Sequence, residues 1–421
     1  MLDLIRFELK KMLSRRVAQV ACGGILVLLC GIMALNVMQT KTEGASGEVL
    51  SGLEAIAHNR ESAQAHAGVL TPERVQADLD AYCAFVLSKV GGEDIADLSD
   101  AAAYDLVART CSPEERVALY DPYLVYLLSP WKMSSVEPFQ KAVLIDESEF
   151  ARFYPAVADR LQAQLDDGMR GTWTYSPAER DFWTQKQEQV SEPFTYGYVG
   201  GWEDMLACLG FLALAMVAVC VALTPVFAGE YQDKTDAVLL SARYGRSKLV
   251  AAKIVASFLF ATAYFALCAL VVVGVPLVFF GAEGGGLPLQ NLAVTIPYNL
   301  TMAQAALIGI GLAYLITLAL AALTLALSSR LRSVLAIFAI DVAIIFLSGI
   351  VGAGGNGILQ HILYLFPLNA LVDQPLFAAC VSYPFGPVVL DLQAMLVAVQ
   401  LVVLLVCLPV AVVSFRRHQV A

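Results

Sequence analysis

Residues 17–38 (VAQVACGGILVLLCGIMALNVM) carry no charge over 22 residues. At about 1.5 Å of rise per residue, a helix of that length covers a hydrocarbon core of roughly 30 Å. Five further apolar runs of spanning length follow, at 205–228, 251–280, 302–329, 333–352 and 394–415, with Lys253 and Asp341 inside two of them. Hydrophobic residues make up 58% of the 421 and charged residues only 15%, more apolar surface than one soluble core can use. The chain therefore reads as an all-α membrane protein with a six-helix transmembrane domain.

The cations set its sidedness. Arg6, Lys10, Lys11, Arg15 and Arg16 precede the first run. Lys234, Arg243, Arg246, Lys248 and Lys253 lie between the second and third or just inside the third. Arg330 and Arg332 separate the fourth and fifth, and Arg416 and Arg417 follow the sixth. Six spans place all fourteen on one side, whereas the opposite short loops, 281–301 and 353–393, hold no Lys or Arg. Both termini, 1–16 and 416–421, are expected in the cytoplasm, with 205–415 carrying the second to sixth spans.

That leaves 39–204 outside, as an extracytoplasmic domain inserted between the first and second spans. It holds 13 of the 27 basic residues and 28 of the 37 acidic ones, so its net charge is −15. An acid excess favours solubility or cationic partners and argues against nucleic acid. Ser51-Gly-Leu-Glu54, Ser112-Pro-Glu-Glu115 and Ser176-Pro-Ala-Glu179 each set a hydroxyl three residues before a carboxylate, the pattern of a capping box. In two of them Pro takes the first helical position, and Thr71-Pro72 repeats the start signal. Alternating strand patterns are scarce, so a small helical bundle is expected.

Of nine cysteines, Cys83 and Cys111 are the two in this domain, and in an oxidising exterior they could close a loop of about 28 residues, worth roughly 3 to 4 kcal/mol if the side chains meet. The others sit in apolar segments as small fillers. The first sixteen residues are too charged for a cleavable signal. Leu2, Ile5, Leu9, Met12 and Leu13 share one helical face, so this stretch reads as an amphipathic helix at the membrane surface, with Arg6, Lys10 and Lys11 near anionic lipid headgroups.

The densest polar stretch of the second half is 227–250, FAGEYQDKTDAVLLSARYGRSKLV. Its cations would each cost on the order of 2.5 to 3.5 kcal/mol at the bilayer centre, so it must be a cytoplasmic connection between two spans. Thr235 or Asp236 can cap a short helix that presents Val238, Leu239 and Ala242, with Arg243 at its negative end and Gly245 as a stop. Such a helix suits docking on a partner, or it is a plain solvated connection.

Glu230, Lys234-Thr235, Leu239-Leu240-Ser241, Arg243, Gly245-Arg246 and Lys253 resemble the segment between the second and third helices of ABC-2 type transporter permeases. There an acid is followed by Gly-Thr, a Leu pair, a Ser/Arg element and a Lys. Here Lys234 stands where Gly is usual, and Ala242 lies near a frequent Pro. The layout of six spans, interfacial helix and large outer loop is similar too, as is PFTYGYVGGW at 193–202. The resemblance implies a permease, in a homodimer or heterodimer, resting on a separate ABC ATP-binding subunit and working by alternating access. Glu230, Thr235, Leu239, Arg243, Gly245 and Arg246 would be the coupling residues, with Arg243 or Arg246 as partners for Glu230. The chain has no G-x-x-x-x-G-K-[ST] run, and no cofactor is expected in it.

Between 354 and 393, two short apolar pieces, 358–366 and 376–381, are broken by Pro367, Pro375, Pro384 and Pro387, which fits re-entrant or surface-lying helices. Asp341, the one acid deep in a run, is either a pathway residue or a neutral hydrogen-bonded acid between helices. Gly309 and Ala313 form a small-xxx-small pair. The four histidines are scattered, and H-E-x-x-H, G-x-S-x-G and Cys/His metal spacings do not occur, so enzyme readings gain no support. The alternative to a permease is a membrane-anchored sensor or adhesion protein whose outer domain does the work.

Overall fold

Five helices of the computed structural model are long and apolar enough to cross a membrane: Arg16–Gln39, Gly200–Gln232, Lys248–Phe279, Met302–Ser328 and Leu392–Arg417. The fifth run, 333–352, forms Val334–Ile350, an apolar helix of 17 residues, at the lower limit for a span. The structure describes residues 1–90, 95, 98–131, 136–235, 247–372 and 374–417. Among these the chain is mostly helical, and it divides into two compact units. One comprises Met1–Ala34, Met205–Val275 and Ala306–Ala421; the other Leu35–Asp204 and Pro276–Ala305.

Gly200–Gln232 is the most buried long helix of the first unit, because its inward positions are small. Ala213, Ala215, Ala218 and Ala222 are all buried and let neighbouring backbones come close. Gly309 does the same on Met302–Ser328: a Cβ there would meet Leu209 Cδ1 at 2.4 Å. Arg16–Gln39 and Leu392–Arg417 are mostly exposed, with Val20, Val27, Leu405 and Val406 outward, as lipid-facing helices require.

The long helix is not continuous. A 3-10 turn at Leu209–Phe211 interrupts it, and Pro225 starts its last piece, Pro225–Gln232, having no amide to donate. Ser328 fills the gap by accepting from the Phe227 and Ala228 amides at 3.0 Å each and donating to the Thr224 carbonyl at 2.7 Å.

The 353–393 segment contains the short helices Gly357–Tyr364 and Pro367–Ala370, which pack on or near Val334–Ile350. Asn356 caps the first, accepting from the Leu359 amide at 3.0 Å. After these helices comes an element that hydropathy and the proline pattern did not indicate, an antiparallel hairpin of Ser382–Phe385 with Val388–Asp391. It turns at Gly386, whose φ of 67° suits glycine.

The second unit is helical as expected, apart from two short strand pairs, Lys41–Glu43 with Val49–Ser51 and Gly68–Val69 with Thr195–Tyr196. The core runs along Pro72–Val90, where Val75, Leu79, Tyr82 and Val86 recur at helical spacing against Tyr123, Leu127, Phe139, Phe150 and Phe153. Ser112 and Ser176 both form full capping boxes with Glu115 and Glu179. Ser51 does not: it sits in a strand, and Gly52, at φ 59°, occupies the cap of Leu53–Ala65. Cys83 and Cys111 are both buried in this core as free thiols, so the pairing that their spacing allows is not made in the structure.

Residues 276–305, which include the short loop expected at 281–301, belong to this unit. Arg60 pairs with Glu283 at 2.7 Å and donates to the Phe280 carbonyl at 2.7 Å, and the Trp202 indole donates to the Ala282 carbonyl at 3.0 Å. Asn291 donates to the Thr195 carbonyl at 2.9 Å and accepts from the Gly197 amide at 3.0 Å. Side chains thus satisfy a backbone with almost no regular structure of its own.

The caps make a discriminating test. Ser112→Ala and Ser176→Ala should each destabilise the unit by about 1 kcal/mol, and Ser51→Ala should leave it unchanged, read from thermal unfolding of the purified protein.

Candidate functional site

Three chain segments meet in a buried cluster of charges in the first unit. The N-terminal helix Leu2–Leu13 and the residues after it supply Glu8, Lys11 and Arg15 at i, i+3 and i+7, one face of a helical turn pattern. Pro225–Gln232 supplies Glu230, and the first turns of Lys248–Phe279 supply Lys253.

Lys253 is the centre. Its Nζ donates to Glu230 Oε1 at 2.8 Å, to Glu8 Oε2 at 3.0 Å and to the Val226 carbonyl at 3.2 Å, which uses all three ammonium hydrogens. Lys11 Nζ reaches the same Glu230 Oε1 at 2.6 Å. The side chains of Lys253, Glu230 and Glu8 are 1%, 3% and 6% exposed, so the two pairs are almost fully removed from water. Desolvating three charges costs several kcal/mol each, and only close geometry with every hydrogen used offsets it. Arg15 donates from Nη2 to the Pro225 carbonyl at 3.3 Å, and its Nη1 is buried without a partner. Burial lowers the pKa of this guanidinium, against the opposing pull of Glu230, Asp233 and Glu8.

The other carboxylate oxygen of Glu230 is held by how its helix ends. The Thr235 amide donates to the Glu230 carbonyl at 3.0 Å while Lys234 takes φ 54°, a left-handed residue followed by a six-to-one hydrogen bond, the Schellman pattern. This closing turn carries the Thr235 hydroxyl onto Glu230 Oε2 at 2.5 Å. Position 234 thus demands the conformation that glycine adopts most easily, and a lysine there accepts backbone strain. Tyr231, one residue before the helix ends, donates to the Ser329 carbonyl at 3.0 Å, and the Phe227 and Phe415 ring centroids lie 4.8 Å apart.

Of the residues singled out from sequence, Glu230, Thr235 and Lys11 come together here. Lys11 turns inward to Glu230 instead of to headgroups, while Arg6 and Lys10 are exposed on the same helix. Leu239, Arg243, Gly245 and Arg246 lie outside the described residues. Among the described residues, the side chains that bond Glu230 are Lys11, Lys253 and Thr235. Sequence reasoning missed Glu8, whose signal was an acid on the N-terminal helix at the spacing that puts it on one face with Lys11 and Arg15.

Asp341 stands apart from this cluster. It is fully buried on Val334–Ile350, Oδ2 accepts from the Thr324 hydroxyl at 3.0 Å, and Oδ1 has no hydrogen-bond partner. Among the described residues no group of His, Cys, Asp and Glu could hold a metal ion.

Two substitutions test the geometry. Lys253→Met strands Glu8 and Glu230 in a dry site and should destabilise the protein by on the order of 3 to 5 kcal/mol, with Glu8→Gln in the same chain restoring part of the loss. Lys234→Gly should stabilise by about 1 kcal/mol, because the strained turn is relieved; both are read as thermal midpoints in detergent.

Compared with known protein families, residues 4–420 match the model described as ABC-2 family transporter protein. No curated protein and no protein of solved structure matches the chain.

Proposed function

Because the chain belongs to the ABC-2 family of transporter proteins and is a multi-pass membrane permease, we propose that it exports its substrate using ATP hydrolysed by a separate ATP-binding subunit docked on residues 236–246. The observation that carries this reading is the position of the Glu8–Lys11–Glu230–Lys253 cluster. It joins the two helix ends that flank 236–246 to the N-terminal helix, so a push on that stretch acts on three elements together.

The cluster suits this task because buried ion pairs resist gradual change. Displacing Lys253 by an ångström or two leaves a charge unpaired in a dry site, so the three helix ends move as one or re-pair in a second arrangement. Leu239, Arg243, Gly245 and Arg246 form the contact with the ATP-binding subunit, and Glu230 with Thr235 passes the load into the span. Val334–Ile350 is the fifth span, despite its length, and brings the number of spans to six.

In this reading both termini are cytoplasmic, since the fourteen cations share that side, and the second unit faces outward in a bacterial cell membrane. Arg6 and Lys10, exposed beside the outward Leu2, Phe7 and Leu13, rest on anionic lipid. A second permease subunit completes the pathway, to which Asp341 contributes a buried polar group.

Copurification and ATP hydrolysis test the assignment. Arg243→Ala should release the ATP-binding subunit, whereas Glu230→Gln should retain it and lower transport-linked hydrolysis by roughly tenfold, the scale of one lost charge-assisted contact. If both variants keep the complex and full hydrolysis, the coupling role is wrong.

A further inference from the structure

The second unit carries more than twice as many acids as bases, yet one of its guanidinium groups has no counter-ion. Arg160, on Phe153–Gly171, makes no hydrogen bond or ion pair with any described residue, and its Nη1 is buried without a partner. It lines a cleft of about 260 Å³ together with Pro130, Trp131, Ala156, Ala163 and Asp159, and with Arg152 and Glu149, which neutralise each other as an ion pair.

Folding does not by itself leave a cation this way. A buried donor without an acceptor costs free energy, and in a unit rich in carboxylates a partner is easily supplied. Arg180, on the next helix, is paired with Asp166, as is Arg152 with Glu149 at 3.2 Å. Lys141, on Pro138–Leu144, is a second half-buried cation close enough to Arg160 for the two to repel. Burial, and after it the charge of Arg160, pull the Lys141 ammonium below the usual lysine range. Arg160 thus lines the cleft with a second cation in its neighbourhood and no acid paired to it among the described residues.

The rest of the cleft limits what can enter. Trp131 is half-buried, fixed edge-on by Phe150 with ring centroids 6.0 Å apart, and Pro130 and Ala156 are apolar. The space exceeds that of a lone oxyanion and leaves room for a flat apolar group against the indole. Asp159 is exposed at the rim, where solvent and salt screen it. We propose that this cleft binds an oxyanion, carboxylate or phosphate, borne on a flat apolar group, with Arg160 gripping the charge and Trp131 covering the apolar part. A guanidinium with its fork unoccupied matches the two oxygens of such a group.

The test uses the full-length protein in detergent, with phenyl phosphate, inorganic phosphate and benzylamine as probes. Phenyl phosphate should bind saturably and more tightly than inorganic phosphate, and benzylamine should not bind. Arg160→Gln should weaken phenyl phosphate at least tenfold, on the order of one charge-assisted contact. Trp131→Ala should weaken phenyl phosphate and leave inorganic phosphate unchanged. Without any probe, Arg160→Gln should melt no lower than the parent, because the unpaired cation contributes nothing to the empty fold. Repeating the titration in bilayer discs with and without phosphatidic acid separates sources. Loss of phenyl phosphate binding only in the acidic discs assigns the site to a lipid headgroup, and unchanged binding assigns it to a soluble anion. Absence of saturable binding, or binding that Arg160→Gln leaves intact, overturns the proposal. So does an Arg160→Gln variant that melts lower and binds as before, which would make Arg160 a purely structural residue.

Discussion

An ammonium group enclosed by two carboxylates and a carbonyl, at Lys253, fixes the arrangement of the first unit's charged end. Its three hydrogens point to three places in the sequence, at residues 8, 226 and 230, so the N-terminal helix and the end of the second long helix take their positions from one side chain. Hydrophobic contacts among alanines and leucines are interchangeable and set only how close helices come. The ion cluster is direction-specific, and it turns an otherwise slippery apolar bundle into a single register at that end.

How much of this was legible beforehand differs by element. Long apolar runs are set by composition, and five of the six appear as spanning helices within a few residues of their expected places. Capping residues were readable where a Pro followed the Ser, as at Ser112 and Ser176, because Pro at the first helical position reinforces the same start. At Ser51 the motif matched but Gly52 offered a left-handed alternative, and strand pairing of Ser51 with Lys41 prevailed. The hairpin at 382–391 was hidden by its prolines: Pro384 lies in a strand of a two-stranded sheet, where a missing amide can face outward, and Pro387 lies in the turn.

For the site, the sequence identified Glu230 and Thr235 through their local pattern, and missed Glu8, because the partner lies 245 positions from Lys253. No local pattern encodes so distant a pairing. The departure at Lys234 was visible as an oddity, and it acquires meaning only once the backbone is known to turn left-handed there. In both cases the missing information was three-dimensional proximity rather than residue chemistry.

The membership of 276–305 in the second unit bears on biosynthesis. Val294 lies in the core that Pro72–Val90 organises, and Asn291 and Glu283 clasp residues made much earlier. A nascent chain that has reached Asp204 therefore has most of this body but not its closing piece, and must thread two more long helices before residue 305 emerges. Contacts of such wide sequence separation are slow to form. Until then the partly built body keeps apolar surface uncovered, a window in which chaperones or proteases act on it.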